Sequence, residues 1–184
     1  MTAAISTPKP SPQAPVVVAH GGAGAKVEDK DGCTAAVEAG LARLRDGADS
    51  APLALAPGQA CDTVGAVVRD AAGHFAVAGS TGGCAPALLG RVGDTPIIGA
   101  GFYAGPAGAV AVTGIGEHIV RHLLAHTVHG WLAGGMRLAA ALERALTLFD
   151  PAIDVGLIAV SATDSGARSN RDMPWAAACD DQQP

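Results

Sequence analysis

The apolar positions of this chain fall into short runs broken by glycine and proline, and the period within each run indicates the element it forms. "PVVVAH" at 15–20 is a β-branched run ending in the glycine-rich "HGGAGA", which predicts a buried strand entering a tight loop. From Asp31, "DGCTAAVEAGLARLRDG" places Val37, Leu41 and Leu44 at helical spacing, with Asp31 as the expected cap and Gly47 as the stop. Two prolines and a Pro-Gly pair in "ADSAPLALAPGQA" at 48–60 mark an irregular linker. Beyond it, "TVGAVVRDAAGHFAVAGST" reads as strands over 63–69 and 74–80 joined by a short turn at Gly73, a hairpin led by Thr63.

The pattern then changes. "GGCAPALLGRVGDTPIIGAG" is a glycine-punctuated loop with a short apolar piece at 96–99, and "GAVAVTGIGE" at 108–117 is a strand ending in a glycine-rich turn. Two helices follow, over about 117–129 and about 133–149, the second carrying Leu138, Leu142, Ala145 and Phe149 on one face that would cover a sheet. "DVGLIAVSATDSG" supplies another strand and turn, and "ARSNRDMPWAA" a last short strand. Paired strands first and helices afterwards predict a layered α+β domain rather than an alternating βαβ fold. No internal repeat is visible.

Composition narrows the function classes. At 184 residues with 49% hydrophobic content, the chain suits a single domain, expected over 15–178 with a first segment to residue 62 and a second from 63. Residues 1–14 read as a disordered Pro/Ser/Thr/Ala tail without the features of a secretory signal, and 179–184 as a polar tail. A net charge of −5 and a pI near 5.6, with no basic cluster, argue against nucleic acid and anionic membranes as partners and leave small molecules or proteins. No apolar run approaches the ~18 residues of a membrane span. Cys33, Cys61, Cys84 and Cys179 form no CxxC pair, so neither a zinc knuckle nor a thioredoxin-like motif is expected and a reducing cytoplasm fits; no metal or cofactor is assigned to the site residues.

Thr63 is where chemistry enters. In an intact chain it is a β-branched residue opening a strand. Cut free of Asp62, it would carry a hydroxyl nucleophile and an α-amine able to act as its base. The Thr63 hydroxyl could itself make that cut by attacking the preceding carbonyl, an N-to-O acyl shift, if the backbone there is strained. Alone, Arg91 and Asp94 read first as a surface ion pair in a glycine turn, and Thr81 and Thr113 as strand-end hydroxyls closing their own turns.

Taken together, "HGGAGA", "DTVGAVVRD", "STGG", "GRVGDTPIIGAGFYA", "AVTGIGE" and "NRDMPWA" occur in this order from Val16 to Ala176. The combination resembles the isoaspartyl peptidase/L-asparaginase family of N-terminal-nucleophile hydrolases. The resemblance implies an αββα sandwich, self-cleavage between Asp62 and Thr63, and hydrolysis of asparagine or β-aspartyl peptides, small-molecule substrates. It places Thr63 on the nucleophile and Thr81 on the threonine that assists it. Arg91 and Asp94 fall on the residues that hold the substrate's α-carboxylate and α-amine, Thr113 and Gly114 on the oxyanion donors, and Gly116 on the lining of the substrate site. These roles suit the residue types, since arginine grips a carboxylate by two parallel bonds and an aspartate receives an ammonium.

The pattern also departs from the family. Only residues 25–62 separate "HGGAGA" from Thr63, where family members carry a far longer first subunit. The "FNAGKGAV"-like segment and the metal-holding loop that brace the site have no match, so the sandwich is expected to be incomplete. Ala87 stands where the family commonly has lysine. A layer exposed by that shortening would call for a homo-oligomer. The alternative is an uncleaved, non-catalytic relative that binds or assembles. Separately, His118, His122, His126 and His129 recur at helical spacing, a row suited to metal, a pH-sensitive interface or simple packing at a helix boundary.

Overall fold

The computed structural model describes residues 14–25, 30–46, 63–84 and 88–180. The linker at 48–60, Gly47, Asp62 and Ala87 lie outside them. The fold is α+β, with eight strands and four helices among the described residues. Strands β1 (Val16–His20), β2 (Thr63–Arg69), β3 (Phe75–Thr81) and β8 (Trp175–Cys179) form one antiparallel sheet in the order β3-β2-β1-β8. Strands β4 (Phe102–Gly105), β5 (Gly108–Gly114), β6 (Val155–Ser161) and β7 (Ser165–Ser169) form a second in the order β4-β5-β6-β7.

The continuous apolar runs follow from burial on both strand faces. Val16 and Val18 share a core with Val67, Ala109, Ala111, Ile158 and Val160, residues drawn from both sheets. Their neighbours Val17 and Ala19 turn the other way, onto Val37, Leu41 and Leu44 of α1 (Asp31–Arg45). In the second sheet, Val110, Val112, Leu157 and Ala159 pack on α2 (Gly116–His122), α3 (Leu124–Ala133) and α4 (Leu138–Leu146). Leu138, Leu142, Ala145 and Phe149 are all buried in that cluster, as their spacing predicts.

Several boundaries differ from the sequence reading. Asp31 is the first helical residue of α1 rather than its cap, and no side chain caps that helix. The single helix expected over 117–129 is two, because Leu123 takes a left-handed conformation (φ 42°, ψ 54°) and starts a new axis. The second expected helix is shorter, confined to α4. Strand β4 was not expected. The segment after Ser161 returns as β7, separate from β8, where one short strand was expected. Three residues assigned to the tails belong to the fold. Ala14 is buried with its carbonyl accepting from Arg69 Nη2 at 2.7 Å, and Cys179 ends β8, just before Asp180 pairs with Arg45 of α1 at 2.8 Å.

Candidate active site

The ladder of the first sheet places two threonine hydroxyls side by side. Thr63 opens β2 and Thr81 closes β3, and they face each other as register partners. Their Oγ1 atoms lie 2.9 Å apart, so either can donate to the other. Thr81 Oγ1 also accepts the Gly83 N–H at 3.0 Å, which fixes the rotamer. His20 ends β1 at the same edge, paired with Gly65, and the loop that follows bends back over Thr63.

Gly22 makes that approach possible. It has φ +102°, and a methyl there would stand 3.0 Å from the Thr63 carbonyl oxygen and 3.9 Å from Thr113 Oγ1. Thr113, buried near the end of β5, accepts the Ala23 N–H at 3.2 Å through that hydroxyl, which can still donate its own hydrogen. The glycine loop thus brings the nucleophile candidate of one sheet beside the oxyanion candidate of the other. Gly114 follows at φ +139°, where a methyl would meet the Asp154 carbonyl oxygen. Only glycine fits.

A second cluster is charged. Arg91 and Asp94 come from the loop before β4 and meet Gly116 at the start of α2. A methyl on Gly116 would lie 2.7 Å from Asp94 Oδ1 and 3.2 Å from Arg91 Nη2. Arg91 Nε donates to Glu117 Oε1 at 2.5 Å and its Nη2 to Oε2 at 3.0 Å, a two-pronged pair. The guanidinium bonds hold the Glu117 carboxyl down at about 2, while Glu117 raises the Arg91 pKa. Asp94 is different: it is buried, its Oδ2 has no hydrogen-bond partner, and burial pushes its pKa up. A buried, unpaired carboxylate oxygen beside a guanidinium can receive a cation such as an ammonium.

Two residues here carried no signal that the sequence reading used. Glu117 closes the "AVTGIGE" motif, and its place directly after the Gly116 turn is the usable clue. His20 is fully buried, and burial lowers its pKa to about 4, so the ring is neutral near pH 7. Its Nδ1 accepts the Gly22 N–H at 3.1 Å, which puts the ring proton on Nε2, a buried atom with no hydrogen-bond partner. Gly65 gives it room, since a methyl there would collide with Nε2.

The helix break at Leu123 divides the histidine row. His126 and His129 edge onto Tyr103, with ring centroids 4.9 Å away in both cases, and His122 edges onto Phe149 at 5.1 Å. His129 Nε2 accepts the Ala107 N–H at 3.3 Å, and burial lowers its pKa. Among the described residues no group of three or more His, Cys, Asp or Glu side chains is arranged to hold a metal ion. No helix among them is long and apolar enough to cross a membrane.

Similarity to known proteins covers the same ground. Residues 45–183 match the sequence model of the family described as Asparaginase. Over 102 residues the chain is 49% identical to an isoaspartyl peptidase of Salmonella typhimurium, covering 53% of this chain and 33% of that protein. It is 43% identical over 127 residues to the isoaspartyl peptidase of Escherichia coli, covering 65% of this chain and 40% of that one. For the human isoaspartyl peptidase/L-asparaginase, identity is 41% over 123 residues, covering 64% and 40%. The matched part thus spans 40% or less of the length of each of these relatives. With a family match across three quarters of its length and relatives more than 40% identical over the matched part, this chain belongs to the isoaspartyl peptidase/L-asparaginase family.

Proposed function

We propose that the chain is a self-cleaving amidohydrolase of αββα sandwich architecture that acts on L-asparagine or β-aspartyl dipeptides through Thr63. The observation that carries this reading is the 2.9 Å contact between the Thr63 and Thr81 hydroxyls, beside the Gly22 loop and Thr113. Cleavage before Thr63 frees its α-amine, which takes the hydroxyl proton as Oγ1 attacks the side-chain amide carbon of the substrate. The oxyanion that forms is held by the Thr113 hydroxyl and the Gly114 N–H. Collapse expels ammonia or an amine, which leaves with the proton from the Thr63 ammonium. Water then attacks the acyl-enzyme ester and releases aspartate.

Arg91 holds the substrate α-carboxylate and Asp94 its ammonium, with Gly116 leaving the space between them. The protein works as a homo-oligomer in the cytoplasm and needs no cofactor for this chemistry. A second reading, an uncleaved binding or assembly protein, is favoured by the short stretch between Ala25 and Thr63. Intact mass and amino-terminal sequencing of purified, folded protein separate the two. A chain beginning Thr-Val-Gly-Ala is expected, with hydrolysis of asparagine or a β-aspartyl dipeptide. A single uncut chain without turnover would establish the second reading.

A further inference from the structure

Among the described residues, Glu117 is a charged residue of the site to which that reading gives no part. We infer that it is a positioning residue: it fixes the guanidinium of Arg91 by one edge and keeps it off Asp94, so that carboxylate and ammonium of a substrate each find a separate partner. The inference rests on the reading of Arg91 and Asp94 as the groups that hold an α-amino acid.

A guanidinium has five N–H donors in one plane. Glu117 takes the Nε edge, by Nε at 2.5 Å and Nη2 at 3.0 Å. Both Nη1 hydrogens and the second Nη2 hydrogen are left, and the Nη1–Nη2 edge presents two parallel donors to another carboxylate. Two residues without side chains leave room for the group: a methyl on Gly93 would lie 3.2 Å from Nη1, and one on Gly116 3.2 Å from Nη2. The space is shaped for the guanidinium, and Glu117 sets its direction.

Asp94 is the competitor. Its Oδ1 lies against the same Gly116 position as Arg91 Nη2, and its Oδ2 is buried without a hydrogen-bond partner. An arginine and a buried aspartate this close attract strongly unless another carboxylate already occupies the fork. Without the Glu117 carboxylate, Arg91 gains by turning onto Asp94. The two groups then quench each other, and neither is available to a zwitterion. Glu117 touches no substrate atom in this arrangement and acts through Arg91.

The test uses the full chain. L-Aspartate, which carries both recognised groups, is titrated by calorimetry into the wild type, Glu117→Gln, Glu117→Asp and Arg91→Ala, and kcat and KM are measured on a β-aspartyl dipeptide. Glu117 is 57% exposed, so the variants should fold with unchanged circular dichroism. Glu117→Gln is expected to raise the aspartate Kd and the KM roughly tenfold or more while kcat changes less than about threefold. Glu117→Asp, which keeps the charge, should recover part of the affinity, and Arg91→Ala should lose binding altogether. Unchanged Kd and KM in Glu117→Gln would overturn the inference and leave the reading of the site standing. A fall in kcat with KM unchanged would overturn it too. A wild type that neither binds aspartate nor hydrolyses the dipeptide would overturn the reading of the site, and this inference with it.

Discussion

Thr63, Thr81 and Thr113 reach the site at the ends of hydrogen-bonded strands, whereas Arg91, Asp94 and Glu117 reach it from a loop and the first turn of a short helix. In the first half, position is set by register. A slip of one residue between β2 and β3 would send Thr63 to the opposite face. In the second half, position is set by one ion pair and by the absence of side chains at Gly93 and Gly116. The strand-borne half is therefore suited to chemistry that tolerates no displacement. The loop-borne half is suited to recognition, where loops commonly vary.

Replacing Thr63 by Ala tests the first half most severely. It should abolish amino-terminal processing and lower turnover by about 10⁴-fold or more, with the fold retained because the ladder uses backbone groups. Residual turnover near wild type in the purified variant would remove Thr63 as nucleophile. Gly116→Ala is the corresponding blow to the second half. Its methyl would stand 2.7 Å from Asp94 Oδ1, in the space assigned to the ammonium. KM should rise about 100-fold with a smaller change in kcat, read from steady-state kinetics.

Acid should act on His20 and Asp94 with opposite sign. The folded His20 pKa lies near 4 against 6.5 for the free residue, so its contribution to stability is complete above pH 6.5. It is lost as pH falls from 6.5 to about 4, because the unfolded chain takes up a proton that the buried ring refuses. The loss totals about 3 kcal/mol. His129 is shifted in the same direction. Asp94, raised by burial, opposes them, since the folded state binds its proton more readily and gains as pH falls. Urea midpoints between pH 7.5 and 4.5 should decline on balance, and the decline should steepen in Asp94→Asn. The smallest expected effect is that of Thr81→Val, which keeps the shape and removes one neutral hydrogen bond. It should lower kcat about tenfold and leave KM nearly unchanged.

The strand and helix periods made most of the fold legible. "VVVAH" and "AVAV" could be read as buried strands because both of their faces are covered, and the Leu138–Leu142–Ala145 stripe as a packed helix face for the same reason. β4 was not legible: "FYAG" is four residues between Gly101 and Pro106, too short for a period, and it is a strand only because β5 pairs with it. The break at Leu123 was hidden as well. Leucine has no intrinsic preference for a left-handed backbone, and that geometry is set where α3 turns to pack on β5. In the site, residue types at ordered motifs identified Thr63, Thr81, Thr113, Gly114, Arg91, Asp94 and Gly116 as candidates. Their partners could not be read that way, because Thr63 and Thr81 meet through register and Glu117 competes with Asp94 for one guanidinium in space.

By itself, then, the sequence determined the chemical inventory: a hydroxyl able to become a terminal nucleophile, glycines that only a tight backbone requires, one arginine and its acids, and apolar periods that dictate layered sheets and helices. Those properties are local, fixed by side-chain chemistry and by the two short periods of backbone geometry. The tertiary structure decided which of these groups touch. Bringing Gly22, in the loop after β1, against Thr63 of the first sheet and toward Thr113 of the second, and giving Arg91 to Glu117 rather than to Asp94, depends on packing between segments far apart in the chain, which no local period encodes.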